Sequence, residues 1–466
     1  MAATSPKLER GLGLFQSTVL NMIDMVGIGP FVTLPIVMGL MGGMFLYAWI
    51  AGALLSLIDA MIWSELGAAY PLAGGSYNFL KQAYGKGPGK MMSFLYVWQT
   101  VIQAPLVAAS AAIGFAQYLG YLVHLTEWQA KGVSVLVIVF ITFLLYRKID
   151  SIGKIGVLLW MGVLLTLGWI IIGGITHGNF LQPLRDINID FSWNNLFSFA
   201  FGQACIKSIY SYLGYYNVCH LGGEIKNPGR NIPRSMFISV IGIAILYLAM
   251  NMSVSSVIPW QEIKGWQDGG LNNFVVSTFI ERLYGSTAAK VATVMILWVA
   301  LASLFAVMLG YSRVPYAAAA DGAFFKIFGK LHPTKSFPYV SLLVLAGFAM
   351  VFSLLFRMKH IIDGILAMRI IVQFIGQAVG VVLLRKRNGT KELPYKMPLY
   401  PLPIILVIIM WSFVFYATGL TIILSFLAVL GSGLIMYFSL AKMQHQWPFK
   451  KDSDNNIEEA IENIGN

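Results

Sequence analysis

Four consecutive residues in the first apolar stretch, Gly27-Ile28-Gly29-Pro30, are poorly suited to an uninterrupted helix. Pro30 has no N–H to donate and crowds the carbonyl four residues earlier. The two glycines lower the cost of unwinding. An unwound segment leaves N–H groups at the start of one half-helix and carbonyls at the end of the other. The first suit a carboxylate and the second an ammonium. Asp24, three residues before Gly27, adds a side-chain carboxylate one turn away. A second place of the same kind is Tyr210-Ser211-Tyr212-Leu213-Gly214-Tyr215-Tyr216-Asn217, polar aromatics around a glycine. The chemistry open to such groups is the binding of a small charged solute. There is no His-Glu-x-x-His, phosphate loop, metal cluster or nucleophile–base pair in the sequence, so neither a cofactor nor enzyme activity is expected. Close helix packing is the other use of Gly27 and Gly29, but packing has no need of Pro30.

The elements that must position these groups follow from composition. The chain has 466 residues, 58% hydrophobic and 11% charged, with a mean hydropathy of +0.72. A soluble domain carries roughly 25% charged residues, so a soluble enzyme, a nucleic-acid binder and a disordered protein are excluded. About twelve stretches are long and apolar enough to span a bilayer. They lie near 14–38, 43–66, 91–123, 131–147, 155–176, 196–222, 234–257, 288–317, 338–356, 361–384, 399–416 and 418–441. In hydrocarbon, helix breakers survive only where the backbone lines a cavity inside the protein. Both interrupted segments therefore predict an internal cavity. They fall in the first and sixth spans, the leading members of two five-span halves. Matching interruptions in two halves point to a transporter site built from inverted repeats.

The formal charge of +12 reads as Lys and Arg flanking membrane spans. Lys81, Lys86 and Lys90, Arg147 and Lys148, Lys226, Arg230 and Arg234, and Arg385 to Arg387 fall in one set of connections. The alternate connections are mixed or poor in cations. The first set is assigned to the cytoplasm, and both termini with it. The short polar segment 1–12 and the polar tail 445–466 carry no expected chemistry, and no cleavable signal peptide is visible. Cys205 and Cys219, placed on one helix roughly 21 Å apart, are read as reduced. The sequons at Asn388 and Asn251 are not expected to be glycosylated, the first being cytoplasmic and the second inside a span. Of the histidines, His220 is nearest a functional segment.

Several motifs in order then resemble the amino acid–polyamine–organocation transporter superfamily along nearly the whole chain. They are Gly27-Ile28-Gly29-Pro30-Phe31; Glu65-Leu66-Gly67, Pro71 and Gly74-Gly75-Ser76-Tyr77; Gly223-Glu224 through Asn227-Pro228-Gly229 to Pro233-Arg234; Ser312-Arg313 with Ala320-Asp321-Gly322; and Leu393-Pro394-Tyr395 with Tyr400-Pro401. The resemblance implies an all-α integral membrane protein, a LeuT-type five-plus-five inverted repeat with two extra C-terminal helices. The halves would be 13–177 and 195–385, with the last two helices in 399–444. It implies secondary transport of an amino acid across the plasma (inner) membrane by alternating access, proton-coupled or by exchange. A polyamine or biogenic amine transporter is the alternative, and a non-transporting amino acid sensor a second. Expected partners are a small-molecule substrate and the bilayer, no nucleic acid, and a monomer or weak homo-oligomer.

Carried over residue by residue, N–H groups around Ile28 and Gly29 would hold a substrate carboxylate. Carbonyls at Asp24, Met25 and Val26, beside Gly27, and in the sixth helix at Tyr210, Ser211, Tyr212, Leu213 and Gly214 would hold the amine. Tyr210 takes the place of an aromatic lid, and Gln103 on the third helix would line the pocket. The fifth helix has Val163 where many sodium-independent members carry a lysine, with Lys154 about two turns earlier. Leu213 replaces a usual glycine and implies a smaller pocket. The polyamine-transporting branch places an acid where Tyr216 stands.

A carboxylate inside a membrane is a functional hypothesis by default. Asp24 has three readings: a partner for the substrate ammonium, a proton-coupling site, or a neutral acid bonded to a neighbouring helix. Glu65 is expected to make a gate or cap contact with a loop cation, and Asp59 a buried polar contact. Ser303 on the eighth helix is a weak ion ligand by itself.

Overall fold

The computed structural model describes residues 8–266, 274–356, 358–444 and 447–449. The expectations for residues 1–7 and for the tail from 450 onward lie outside them. Helices coincide with each of the twelve apolar stretches, and among the described residues there is no strand. Among the described residues eight helices are long and apolar enough to cross a membrane, and Tyr339–Leu355 and Leu402–Ala417 are shorter apolar helices. The chain is an all-α membrane protein.

The first span is two helices, Leu14–Met25 and Gly29–Met41. The sixth is Phe199–Tyr212 followed by the single turn Asn217–His220. The second, third, fourth and fifth spans are Phe45–Ala69, Pro88–Leu119, Glu127–Leu145 and Ile149–His177. The seventh is Pro228–Ser255, and the eighth Ser286–Tyr311 runs on into Arg313–Ala320. The ninth is Tyr339–Leu355. The tenth changes winding partway: Met358–Arg369, a π-helical segment Ile370–Ile375, then Gly376–Asn388. Such π segments inside α-helices often mark functional sites. Leu402–Ala417 and Leu420–Met443 close the chain.

The packing puts the interrupted spans at the centre. The first packs on the fifth, seventh and eighth, and its outer half on the sixth. Second packs on seventh, and third on eighth and ninth. Apolar side chains are exposed on the fourth, fifth and twelfth spans, for example Phe143, Leu165 and Ile435. On a membrane helix such a face meets lipid, so its exposure costs nothing in the bilayer. Two isolated backbone bridges, Leu12 with Ile225 and Ala73 with Leu221, tie the segment after the sixth span to the entry of the first and the exit of the second. Cys205 and Cys219 are buried and unbridged. They stand on two separate pieces of the sixth span and not on one helix, because the chain unwinds between them.

Candidate functional site

The first span unwinds where the glycines and proline stand. Val26 N–H still reaches Met22 O at 2.9 Å, and Gly27 N–H reaches Met25 O at 3.1 Å. The next helix opens on Gly29-Pro30, so its first N–H groups have no carbonyl in their own helix. Among the described residues the Ile28 and Gly29 N–H groups meet no backbone acceptor. They form the open, partially positive end of a half-helix at membrane depth. The two glycines also admit neighbours: a Cβ on Gly27 would fall 2.5 Å from Ser303 Oγ, and one on Gly29 would fall 3.2 Å from Tyr210 Cε1.

The sixth span unwinds over Leu213 to Tyr216, with Gly214 at φ +113°. Side chains from three other spans hold the unwound segment in place. Asn21 of the first span donates to Tyr215 O and accepts from Val218 N–H at 2.9 Å. Asp59 of the second span accepts from Trp63 Nε1 at 2.9 Å and from the Tyr215 hydroxyl. The Tyr247 hydroxyl of the seventh span lies 2.7 Å from Met25 O and 3.0 Å from Ser211 O, one proton facing the carbonyl ends of both breaks. Irregular backbone inside a membrane protein persists where it is buried in protein or lines a water-filled cavity.

Gly214 is the position at which the second break touches the first. A Cβ there would lie 2.8 Å from the Asp24 carbonyl carbon and 2.8 Å from its Cγ, on a backbone that L side chains rarely adopt. Strain of this kind costs on the order of 1–3 kcal/mol. We expect Gly214→Ala to lose most transport while still inserting in the membrane, read as flux per protein in liposomes against its melting temperature in detergent. Wild-type flux in Gly214→Ala would mean that the two breaks do not need this contact.

Between the breaks lies a small cavity of about 50 Å³. Its wall includes Asp24, Gly27, Ile28 and Gly29 from the first span and Tyr210, Ser211, Leu213, Gly214 and Tyr216 from the sixth. Ser110 of the third span, Ser303 and Tyr311 of the eighth, and Arg369 of the tenth complete its polar lining. The Asp24 carboxylate faces this space with no protein hydrogen bond among the described residues, so the reading of a neutral acid bonded to a neighbouring helix finds no partner there. Tyr210 stands over Gly29, its hydroxyl 2.9 Å from Ser110 Oγ across the cavity.

Arg369 dominates the electrostatics. It is the last residue before the π-helical segment and is 3% exposed. Its guanidinium lies between two rings, with Cζ 5.0 Å from the Tyr216 centroid and 4.9 Å from that of Tyr311. Nη2 donates to Gln103 Oε1 at 2.8 Å, while Nε and Nη1 have no partner. No carboxylate lies within ion-pair distance of it among the described residues. A buried guanidinium with two free donors on a cavity wall is a site for an anion, because leaving such a charge unmatched is costly.

The sequence reading does not single out Arg369, although the signal is a lone cation inside an apolar stretch. Of the residues it does name, Asp24, Met25, Gly27, Ile28, Gly29, Tyr210, Ser211, Leu213 and Gly214 surround one cavity. Val26, Gln103 and Tyr212 stand off it. Val26 is fully buried, Gln103 lies behind Arg369, and Tyr212 packs on Trp49 and Tyr247. The Met25 and Ser211 carbonyls already face Tyr247, which leaves the Asp24 carboxylate as the more open partner for an ammonium. Val163 is buried and Lys154 exposed, so the fifth span brings no cation to the position that Val163 holds. Glu65 makes a bidentate pair with Arg385, at 2.8 and 2.5 Å, and accepts from Met397 N–H at 2.7 Å. The cation it meets sits on the end of the tenth helix and not in a loop. His220 is buried against Tyr96, 3.2 Å away, and Tyr311, outside the cavity lining.

A family model described as amino acid permease matches residues 12–440. The serine/threonine exchanger SteT of Bacillus subtilis (strain 168) is 26% identical over 95% of this chain and 98% of its own. The branched-chain amino acid permease BcaP of the same organism is 23% identical over 94% of this chain and 95% of its own. The human cystine/glutamate transporter is 26% identical over 84% of this chain and 77% of its own.

Proposed function

The chain belongs to the amino acid permease family, and from that premise we propose that it carries an amino acid as a zwitterion, held between the two breaks and exposed to each side in turn. The observation that carries this reading is the pairing of opposite charges on one cavity: the open N–H groups at Ile28 and Gly29 with the unpaired donors of Arg369, and the Asp24 carboxylate. The substrate carboxylate takes the donors and its ammonium takes Asp24. A buried ligand charge is tolerated only when paired and hydrogen-bonded, and a zwitterion supplies one partner for each group. Tyr210 covers the bound solute, and its bond to Ser110 must break or turn for the solute to pass on that side.

The same balance argues against the polyamine reading. A polycation would bring several positive charges beside Arg369 with a single carboxylate, Asp24, on the cavity wall. Like charges in a dry cavity repel strongly. The substrate class is thus a neutral amino acid, moved across the plasma membrane with both chain termini on the cytoplasmic side, where the cation-rich connections stand.

The test is purified protein in liposomes, offered neutral, acidic and cationic amino acids and polyamines, with proton and sodium gradients imposed separately. Saturable flux of neutral amino acids and none of polyamines is expected. Flux of polyamines alone, or of nothing offered, overturns the reading. Coupling also rests on Asp24, which can take a proton only when the substrate ammonium has left it. Asp24→Asn should abolish uphill accumulation driven by a proton gradient. Full accumulation in Asp24→Asn would remove Asp24 as the coupling residue.

A further inference from the structure

A second hollow lies away from the breaks. It is a groove of about 910 Å³ between the end of the fourth span and the start of the ninth. Neither of those helices contributes a residue to the central cavity. Its deep wall is apolar. Val139 and Phe143 stand four residues apart on the fourth span, and Leu343, Ala346 and Met350 follow one another at spacings of three and four on the ninth. These spacings put each set on one helix face. Val139, Phe143 and Leu343 are 49%, 67% and 47% exposed, so the groove opens sideways to the surface that lipid covers.

Its mouth has the opposite character. Arg147, Lys148 and Lys335 stand there with the hydroxyls of Ser151 and Thr334, and no acid lines it among the described residues. Lys335 is held in place by Tyr146, whose carbonyl oxygen it reaches at 2.8 Å and whose ring lies 4.8 Å below its Nζ. Arg147 and Lys148 are exposed and have no side-chain partner among the described residues. Phe143 and Val139 lie about 3 and 9 Å along the helix from its end at Leu145, which Arg147 follows.

We propose that this groove holds an anionic phospholipid of the leaflet on its own side, the phosphodiester among Arg147, Lys148 and Lys335 and an acyl chain along Val139, Phe143, Leu343 and Met350. Charge complementarity selects the occupant. Three cations at headgroup depth above an apolar trough match a negatively charged headgroup joined to a hydrocarbon chain. A zwitterionic lipid offers the phosphate but cancels it with its own amine. Because the groove is separate from the cavity, the lipid braces the contact between the fourth and ninth spans and leaves substrate affinity unchanged.

The experiment takes the full chain in detergent and adds phosphatidylglycerol, phosphatidylcholine or inorganic phosphate. Melting temperature and retained lipid in native mass spectrometry are read for wild type and for Arg147→Gln/Lys148→Gln. The pair is chosen because both side chains are exposed, so the variant folds. Phosphatidylglycerol should raise the melting temperature and stay bound to wild type. The variant should retain several-fold less of it, with an unchanged half-saturating concentration for amino acid flux in liposomes. Equal retention of phosphatidylcholine, equal retention by the variant, or an equal rise with inorganic phosphate alone would overturn the proposal. A shifted half-saturating concentration would contradict the separation of groove and cavity.

Discussion

Arg369→Gln is expected to raise the half-saturating concentration for amino acid flux by about 10- to 150-fold. The guanidinium is buried, bonded through one nitrogen to Gln103, and has Nε and Nη1 unpaired on the cavity wall. A charge-assisted hydrogen bond to a substrate carboxylate contributes about 1.5–3 kcal/mol, which is that range of affinity. Glutamine retains a donor but not the charge, and it vacates the space between Tyr216 and Tyr311. Arg369→Lys separates the two contributions. It restores a cation but not the planar fork that fits both rings and a carboxylate, so it should recover only part of the affinity. Concentration-dependent counterflow in liposomes measures the effect, with a melting curve beside it. The variants also lose the bond to Gln103 and the contacts with both rings, so the melting curve separates a loss of substrate affinity from a loss of fold. Unchanged half-saturation in both variants would mean that Arg369 serves the helix and not the substrate.

Arg313→Ala is expected to be among the most damaging single changes to stability. Arg313 pairs with Glu224 through two bonds, 2.9 and 2.8 Å, and also donates to Leu309 O at 3.0 Å and Ser312 Oγ at 2.9 Å. The two side chains are 2% and 1% exposed. The pair joins the segment after the sixth span to the helix that continues the eighth, at the end of the bundle assigned to the cytoplasm. Removing one partner leaves the other charge buried and alone, which costs about 3–5 kcal/mol. Arg313→Ala should therefore melt well below wild type. The double variant Glu224→Gln/Arg313→Met, which removes both charges, should recover most of the loss. If the double variant melts as low as the single one, packing and not charge is what Arg313 supplies. The Lys81–Asp321 pair near the same end is about a third exposed on both sides, and its loss should change stability by about 1 kcal/mol or less.

Much of this architecture is legible in the sequence, for physical reasons. The break in the first span is written in Gly27, Gly29 and Pro30, whose backbone properties are local. The spans are legible because hydrocarbon thickness fixes their length. The three side chains that pack on the two breaks and hold them are not legible. Asn21, Asp59 and Tyr247 belong to three different helices, and only their packing brings them to Tyr215, Val218, Met25 and Ser211. Gln103 shows the limit of a helical face read without its neighbours: it lies behind Arg369 and does not line the cavity. Arg369 was open to the rule that singles out Asp24, that an ionisable residue inside a span has a purpose. One cation in a long apolar run is easily averaged away, as is Lys207, which is 7% exposed on the sixth span. The π-helical segment beginning at Ile370 has no local sequence signature, and it directly follows Arg369 at the cavity wall.

The central claim is that a zwitterion lies between the open peptide groups of the first span, Asp24 and Arg369. A density map of the protein saturated with the amino acid of highest flux tests it most directly. The account predicts density for the solute in the cavity, with its carboxylate within hydrogen-bonding distance of the Gly29 N–H and the Arg369 guanidinium, and its ammonium beside Asp24. Solute density elsewhere, with this cavity empty or with Gly27 to Gly29 wound into a continuous helix, would contradict it.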